Sequence, residues 1–138
     1  MNEPLTAVVI EDDPDVSELL TGLLRECGFA VHAAATGADG VQAARMHDPD
    51  LITTDLHLPG MNGLEAIRRI REFSDAYVLI VSTSNDQNDV FMGLDAGADD
   101  YITQPFRPLI LQARVEALQR RPRKSPCSLR PFEAPGTD

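Results

Sequence analysis

The chain has 138 residues, of which 43% are hydrophobic, and it carries a formal net charge of −10. This length supports one domain with its own core and excludes two domains of ordinary size. No apolar stretch reaches the roughly 20 residues that a membrane-spanning helix needs, and the N-terminus lacks a basic region followed by an apolar stretch. We therefore expect no membrane association and a cytoplasmic location. Residues 1–106 carry a net charge of −14, and the electrostatic field of so acidic a segment disfavours binding of nucleic acid.

The hydrophobic pattern alternates short apolar runs rich in β-branched residues with segments in which apolar residues recur at helical spacing. The predicted elements, in chain order, are a strand at 7–10, a helix at 14–27, a strand at 29–34, a helix at 37–46, a strand at 50–54, a helix at 64–70, a strand at 77–81, a helix at 86–96, a strand at 101–102 and a helix at 108–119. This alternation predicts an α/β fold in which a parallel five-stranded sheet is covered by helices on both faces. We expect the domain to span residues 1–121 and residues 122–138, rich in Pro, Ser and Arg, to form a flexible linker or tail.

Polar side chains follow four of the predicted strands. They are Glu11, Asp12 and Asp13 after the first strand, Asp55 after the third, Ser82, Thr83 and Ser84 after the fourth, and Gln104 after the fifth. Because doubly wound sheets bind ligands beyond the carboxyl ends of their strands, we expect these side chains to form one site. Its four carboxylates would repel one another unless a cation joined them, and such oxygen ligands suit Mg²⁺ or Mn²⁺. Taken one by one, the same acids and hydroxyls are equally typical of helix caps and loops.

Three segments together resemble the receiver domain of bacterial response regulators, within the CheY-like superfamily. They are VIEDD at 9–13, DLITTDLHLPGMNG at 50–63 and GADDYITQPF at 97–106. The resemblance covers roughly residues 5–121 and is closest to receivers of the winged-helix DNA-binding class. It implies a flavodoxin-like sheet with the strand order 2-1-3-4-5.

The resemblance also implies a role for each matching residue. Asp55 corresponds to the phosphoacceptor, Asp12 to a direct ligand of the cation, and Glu11 to a ligand that acts mainly through water. Ser82 corresponds to the hydroxyl that binds a phosphoryl oxygen. Tyr101 corresponds to the switch aromatic, whose ring moves inward when that hydroxyl is pulled toward the phosphate. The implied function is a two-component signalling module that takes a phosphoryl group from a sensor histidine kinase.

Some positions near the implied acceptor depart from the family pattern. Gln104 stands where the family has lysine, and a neutral amide binds phosphoryl oxygens more weakly than an ammonium group, so we expect slower phosphorylation or weaker switching. Thr83 replaces a smaller residue and is expected to narrow access to Asp55. His57 and Ser84 flank the path of attacking water and are expected to tune dephosphorylation, with an ordinary exposed polar role as the alternative. By the resemblance, the backbone carbonyl of His57 is a further cation ligand, together with the Asp55 carboxylate.

The fourth helix, fifth strand and fifth helix form the face through which receivers of the winged-helix class dimerise. The matching positions are Val90, Leu94, Asp99, Asp100, Ile110, Leu111, Arg114 and Arg121. Val90 and Ile110 stand where that class has an ion pair, so apolar contact would replace a desolvated pair. We therefore expect a homodimer through this face, formed with or without phosphate.

Alternative functions remain open from the sequence alone. The leading hypothesis is a receiver that is not a turnover enzyme and that contacts DNA only through a separate domain. One alternative is a phosphatase or transferase with an aspartate nucleophile, but such enzymes need a second aspartate where this chain has His57. Another is a phosphate-independent receiver that acts as a constitutive dimerisation or interaction module, which Gln104 and the apolar face support.

Overall fold

A computed structural model describes residues 5–121 of the protein, so the predicted tail at 122–138 lies outside the described residues. In chain order the elements are β1 (Leu5–Ile10), α1 (Pro14–Glu26), β2 (Phe29–Ala34), α2 (Gly37–His47), β3 (Leu51–Thr54), α3 (Gly63–Arg71), β4 (Tyr77–Ser82), α4 (Gln87–Ala96), β5 (Asp100–Thr103) and α5 (Pro108–Gln119). The strands pair in parallel in the order β2-β1-β3-β4-β5, which confirms the predicted fold and strand order.

The sheet is buried between two apolar layers, as expected for parallel strands with helices on both faces. Leu24 of α1 and Val115 of α5 belong to one layer, and Ile67 of α3 belongs to the other. Successive residues of a strand point to opposite faces, so Val9 packs into the first layer and Val8 into the second. Both valines are fully buried. The short β-branched runs of the sequence are therefore the centre of the fold.

Side-chain caps fix where several helices begin. The residues whose side chains accept hydrogen bonds from the first turn are Asp13, Thr36, Asn62 and Asp86. Asp86 was predicted as the first residue of its helix but is its N-cap, so α4 begins at Gln87. Strand β5 is longer than predicted because Asp100 and Thr103 also pair with β4. None of the helices within residues 5–121 combines the length and apolar character needed to traverse a bilayer.

Candidate functional site

Three carboxylates meet at the carboxyl edge of the sheet. Glu11 and Asp12 follow β1, Asp55 follows β3, and these two strands are hydrogen-bonded neighbours. One ligand oxygen from each of the three acids lies within 4.8 Å of the others. Asp13, the fourth acid expected here, instead caps α1 by accepting hydrogen bonds from two backbone N–H groups of its first turn. The structure thus brings together three of the four predicted carboxylates.

Glu11 is a buried acid, with only 4% of its surface exposed. Its Oε2 accepts a hydrogen bond of 3.1 Å from the backbone N–H of Asp13, whereas its buried Oε1 has no hydrogen-bond partner within residues 5–121. Desolvation by burial raises the pKa of Glu11 to about 7; Asp55 and Asp12 add to the rise and the Asp13 bond opposes it. A buried carboxylate oxygen without a partner is costly. A cation bound by the three acids would remove that cost, and hard oxygen donors of this kind fit Mg²⁺ or Mn²⁺.

Asp55 is half-buried directly after β3. Its backbone N–H donates to the carbonyl of Ile10 at 3.2 Å, which ties it to β1. Its carboxylate Oδ1 accepts a hydrogen bond of 3.2 Å from the backbone N–H of His57. These contacts orient the carboxylate at the edge of the sheet while leaving part of it open to solvent.

Ser82 is the last residue of β4 and is fully buried. Its hydroxyl accepts a hydrogen bond of 3.2 Å from the backbone N–H of Ser84, and its carbonyl accepts one of 2.7 Å from the backbone N–H of Gln104. The side-chain amide of Gln104 donates a long hydrogen bond of 3.5 Å to the carbonyl of Val81. The structure therefore holds Ser82 and Gln104 on adjacent strand ends, whereas Thr83 is exposed.

A second polar network lies over the start of α4. The hydroxyl of Tyr101 donates to the carbonyl of Ser84 at 2.8 Å, and the hydroxyl of Ser84 donates to Oδ2 of Asp89 at 2.5 Å. The same Oδ2 lies 4.0 Å from Nε2 of His57. Sequence reasoning missed Asp89, because an acid in the first turn of a helix is ordinary. Its only signal was its position one turn beyond the run of hydroxyl residues.

The predicted dimer face is largely at the surface. Leu94 is 44% and Ile110 48% exposed, and Val90 is half-buried. Arg114 of α5 forms an ion pair of 2.9 Å with Asp100 of β5 inside the chain. Arg121 is exposed at the last described position.

Of the residues predicted on that face, one is buried in the core and another is already paired within the chain. The placement of Leu111 at the surface is wrong: it is fully buried in the core layer shared with α1, because that side of α5 packs against the sheet. Asp99 is engaged inside the chain, since its Oδ2 accepts hydrogen bonds from Arg71 at 3.0 Å and from the backbone N–H of Val78 at 2.9 Å. Leu111 therefore cannot contribute to a subunit contact in this arrangement, whereas the role of Asp99 at the predicted face stays a prediction.

Comparisons with known proteins agree with this architecture. The sequence model of the response regulator receiver domain matches residues 7–116. The chain is 40% identical over 122 residues to the DNA-binding response regulator MtrA of Mycolicibacterium smegmatis, covering 88% of this chain and 54% of that protein. It is also 40% identical over 121 residues to the transcriptional regulatory protein CseB of Streptomyces avermitilis, covering 88% and 52%. The solved structure of the BeF3-activated DrrB receiver domain superposes with a TM-score of 0.79 and 31% identity, covering 86% of this chain and all of that one.

The chain spans about half the length of the curated relatives it matches. Within that half, the family model covers nearly the whole described domain, from β1 into α5. The protein therefore belongs to the response regulator receiver domains of two-component systems, which are signalling modules.

Proposed function

We propose that Asp55 accepts a phosphoryl group from a sensor histidine kinase in a reaction that requires Mg²⁺ or Mn²⁺. The observation that carries this proposal is the cluster of Glu11, Asp12 and Asp55, whose ligand oxygens lie within 4.8 Å of one another. The buried Oε1 of Glu11, which has no hydrogen-bond partner among residues 5–121, supports it, because a bound cation with its water shell would supply one. Asp12 and Asp55 would be direct ligands of the cation, and Glu11 would act mainly through water. The backbone carbonyl of His57 would be the remaining protein ligand.

The proposed transfer is a simple substitution at phosphorus. A carboxylate oxygen of Asp55 forms the new P–O bond while the bond from phosphorus to the donor nitrogen breaks, and that nitrogen leaves with the electron pair. When bound, the cation screens the repulsion between the carboxylate and the anionic phosphoryl group and stabilises charge in the transition state. The His57 N–H, which already binds Oδ1, fixes the rotamer of Asp55 for attack.

Ser82 and Tyr101 are proposed to carry the signal from Asp55. The Ser82 hydroxyl accepts from the Ser84 N–H and retains its own proton for donation to a phosphoryl oxygen. That bond exists only in the phosphorylated state, so it shifts the equilibrium between two conformations. Tyr101 would follow because its hydroxyl is bound to the same loop through the Ser84 carbonyl. Thr83, Ser84 and His57 would tune the hydrolysis that ends the signal.

The proposal is tested by intact-mass measurement after incubation with acetyl phosphate and Mg²⁺. We expect a labile gain of one phosphoryl group that is lost in Asp55→Asn and in the presence of a chelator. If the wild-type protein stayed unlabelled under conditions that label an ordinary receiver, the result would contradict the proposal that Asp55 accepts a phosphoryl group with glutamine at position 104. It would favour the phosphate-independent module instead, for which the comparisons offer no support.

We further propose that the face formed by α4, β5 and α5 mediates a homodimer. Val90 and Leu94 are one turn apart on α4, and Ile110 and Arg114 are one turn apart on α5, so each pair lies on one side of its helix. Sedimentation with and without beryllofluoride, a phosphoryl mimic, tests this. Ile110→Glu is expected to weaken the dimer, whereas Leu19→Glu, at a similarly exposed site on α1, is not. A wild-type monomer at high concentration in both states would contradict the dimer.

The wider role is proposed from the relatives. MtrA is named as a DNA-binding response regulator and is about twice the length of the matched region. We propose that residues 1–121 are the receiver, that 122–138 lead toward a separate DNA-binding domain in the intact regulator, and that the protein acts in the cytoplasm. A DNA-binding assay of this chain tests the division of roles, because the receiver alone is expected not to bind DNA, and specific binding by it would contradict the proposal.

A further inference from the structure

We propose that Asp89 is a positioning residue of the switch, which fixes Ser84 and through Ser84 sets both the Ser82 hydroxyl and the Tyr101 ring. This inference rests on the proposed roles of Ser82 and Tyr101, and it assigns a function to an acid outside the acidic cluster. Asp89 belongs to the first turn of α4, so it would couple the position of that helix to the site around Asp55.

Ser84 is the point at which three parts of the domain meet. Its backbone N–H donates to the Ser82 hydroxyl at 3.2 Å, and its carbonyl accepts from the Tyr101 hydroxyl at 2.8 Å. Its own hydroxyl donates to Asp89 at 2.5 Å and accepts the backbone N–H of Asp86 at 3.3 Å. Every polar group of Ser84 therefore takes part in a hydrogen bond, so a displacement of Ser84 by one partner alters its hydrogen bonds to the others.

The bond to Asp89 is the strongest of these contacts. It is short, and its acceptor is charged, and such bonds are about twice as strong as those between neutral groups. Asp89 is also only partly exposed, with 34% of its side-chain surface accessible, so water competes less effectively for the carboxylate. The Asp89 carboxylate thus anchors the loop that carries Ser84 to the first turn of α4.

The same carboxylate reaches across to the other loop beside Asp55. Its Oδ2 lies 4.0 Å from Nε2 of His57, which is in the segment between β3 and α3. His57 is mostly exposed, so this contact alone is weak. Together with the Ser84 bond, it places one α4 side chain between the two loops that border the acceptor.

The ring of Tyr101 gives a direct readout that does not need phosphorylation. The chain has two tyrosines and no tryptophan, so 3-fluorotyrosine labelling yields one ¹⁹F signal for each. Tyr77 begins β4, at the opposite end of the strand from Ser82, and serves as an internal control. We expect Asp89→Ala and Ser84→Ala each to move or broaden the Tyr101 signal and to leave the Tyr77 signal in place. Asp89→Asn, which keeps an acceptor oxygen, should give a smaller change.

Two comparisons separate positioning from a general effect on α4. Asp86→Ala removes the N-cap side chain of the same helix, which accepts from the Asn88 N–H at 2.7 Å, and keeps the Asp86 backbone N–H that donates to the Ser84 hydroxyl. A Tyr101 change in Asp86→Ala as large as that in Asp89→Ala would overturn the proposal. So would an Asp89→Ala effect of undiminished size in the Ser84→Ala background, because Asp89 would then act by another route.

Phosphoryl lifetime provides the second measurement. Loss of Asp89 is expected to change the half-life of the aspartyl phosphate by about twofold to fivefold, the range expected for a partly exposed polar contact, while Asp86→Ala leaves it within the wild-type range. If the wild-type protein takes no phosphoryl group, the proposed function fails, but the ¹⁹F comparison still decides whether Asp89 positions Tyr101. An unchanged Tyr101 signal in both Asp89→Ala and Ser84→Ala overturns the inference whether or not Asp55 is labelled.

Discussion

Gly63, the first residue of α3, lies directly against the backbone carbonyl of Asp55. A Cβ at position 63 would overlap that carbonyl oxygen and would stand 2.8 Å from the Cα of Leu56. The backbone N–H of Gly63 also donates to the Leu56 carbonyl at 2.9 Å. Because its neighbours are backbone atoms, they cannot rotate away from a larger residue. The missing side chain thus allows α3 to begin next to the proposed acceptor.

Gly63→Ala is expected to lower the free energy of unfolding by about 1–3 kcal/mol, the usual range for overpacking a tight site, and to slow labelling of Asp55. Gly22→Ala is the matched control, because a Cβ added there, in the exposed middle of α1, would meet no packing neighbour within 4 Å. That control should raise stability by about 0.5–1 kcal/mol through helix propensity. Urea unfolding and intact mass measure both effects. If Gly63→Ala matched the wild-type protein in stability and in labelling of Asp55, the backbone around Asp55 would be able to shift and accommodate the added Cβ.

The sequence was sufficient for the sheet and for three of the four carboxylates predicted at its edge, whereas Asp13 caps α1. The apolar runs of β1 and β4 are buried on both faces, so they are recognisable without knowledge of their neighbours. The edge of a parallel sheet then brings Glu11 and Asp55 together whatever the helices do. The local pattern and the topology point to the same arrangement, which is why these predictions succeed.

Side-chain direction on the helices was harder to predict. In α5, Ile110 and Leu111 are adjacent apolar residues, yet one is 48% exposed and the other fully buried. The rotation of α5 about its axis decides between them, and it is set by packing against the sheet and α1. The same limit applies to Asp99, whose partner Arg71 is distant in sequence. Contacts between distant segments leave no mark in local periodicity.

Arg71 joins the end of α3 to the starts of two strands. Its guanidinium donates to the Gly97 carbonyl at 2.8 and 3.0 Å, to the Ala76 carbonyl at 2.5 Å and to Asp99 at 3.0 Å. Both side chains of the ion pair are mostly buried, at 24% and 20% exposure. Loss of Arg71 would leave these carbonyls and the Asp99 carboxylate poorly paired.

Arg71→Ala is expected to lower the free energy of unfolding by about 2–3 kcal/mol, since it breaks several charge-assisted bonds at once. Arg69→Ala provides the comparison, because its pair with Glu65 is about half exposed on both sides. That substitution should cost at most about 0.5 kcal/mol. Thermal and urea unfolding of the two variants, measured side by side, give the difference. Equal effects would mean that the Arg71 network contributes no more than a surface pair.

Glu11 makes the metal-free protein sensitive to pH. The unfolded chain releases the Glu11 proton near the ordinary pKa of 4.5, whereas the folded protein holds it until about 7. The folded state binds more protons between these values, so stability falls as pH rises through this window and the whole loss is present above it. Glu11→Gln removes the charge and with it this loss.

With a chelator at about pH 8, Glu11→Gln should therefore be more stable than wild type by roughly 3–4 kcal/mol, at about 1.4 kcal/mol for each pKa unit. The difference should vanish below the ordinary pKa of 4.5, where Glu11 is protonated in both the folded and the unfolded protein. Excess Mg²⁺ should stabilise wild type more than the variant, because the variant lacks one of the three clustered carboxylates and binds the cation more weakly. Glu18→Gln, an exposed acid of α1, controls for net charge. A pH-independent difference between Glu11→Gln and wild type would contradict the raised pKa of Glu11.

Gln104 is the sharpest departure from the family pattern. Replacing it with lysine tests how much a neutral amide at this position slows phosphorylation. Its backbone N–H binds the Ser82 carbonyl at 2.7 Å, so the side chain starts beside the residue proposed to hold a phosphoryl oxygen. An ammonium group there adds a charge-assisted bond that exceeds a neutral one by about 1 kcal/mol, and Gln104→Lys should therefore speed labelling by acetyl phosphate about fivefold. Gln42→Lys adds the same charge at an exposed position of α2 and should leave the rate unchanged. A Gln104→Lys rate equal to wild type would mean that the side chain at 104 stays turned toward the Val81 carbonyl, its partner at 3.5 Å, and does not reach the phosphoryl group.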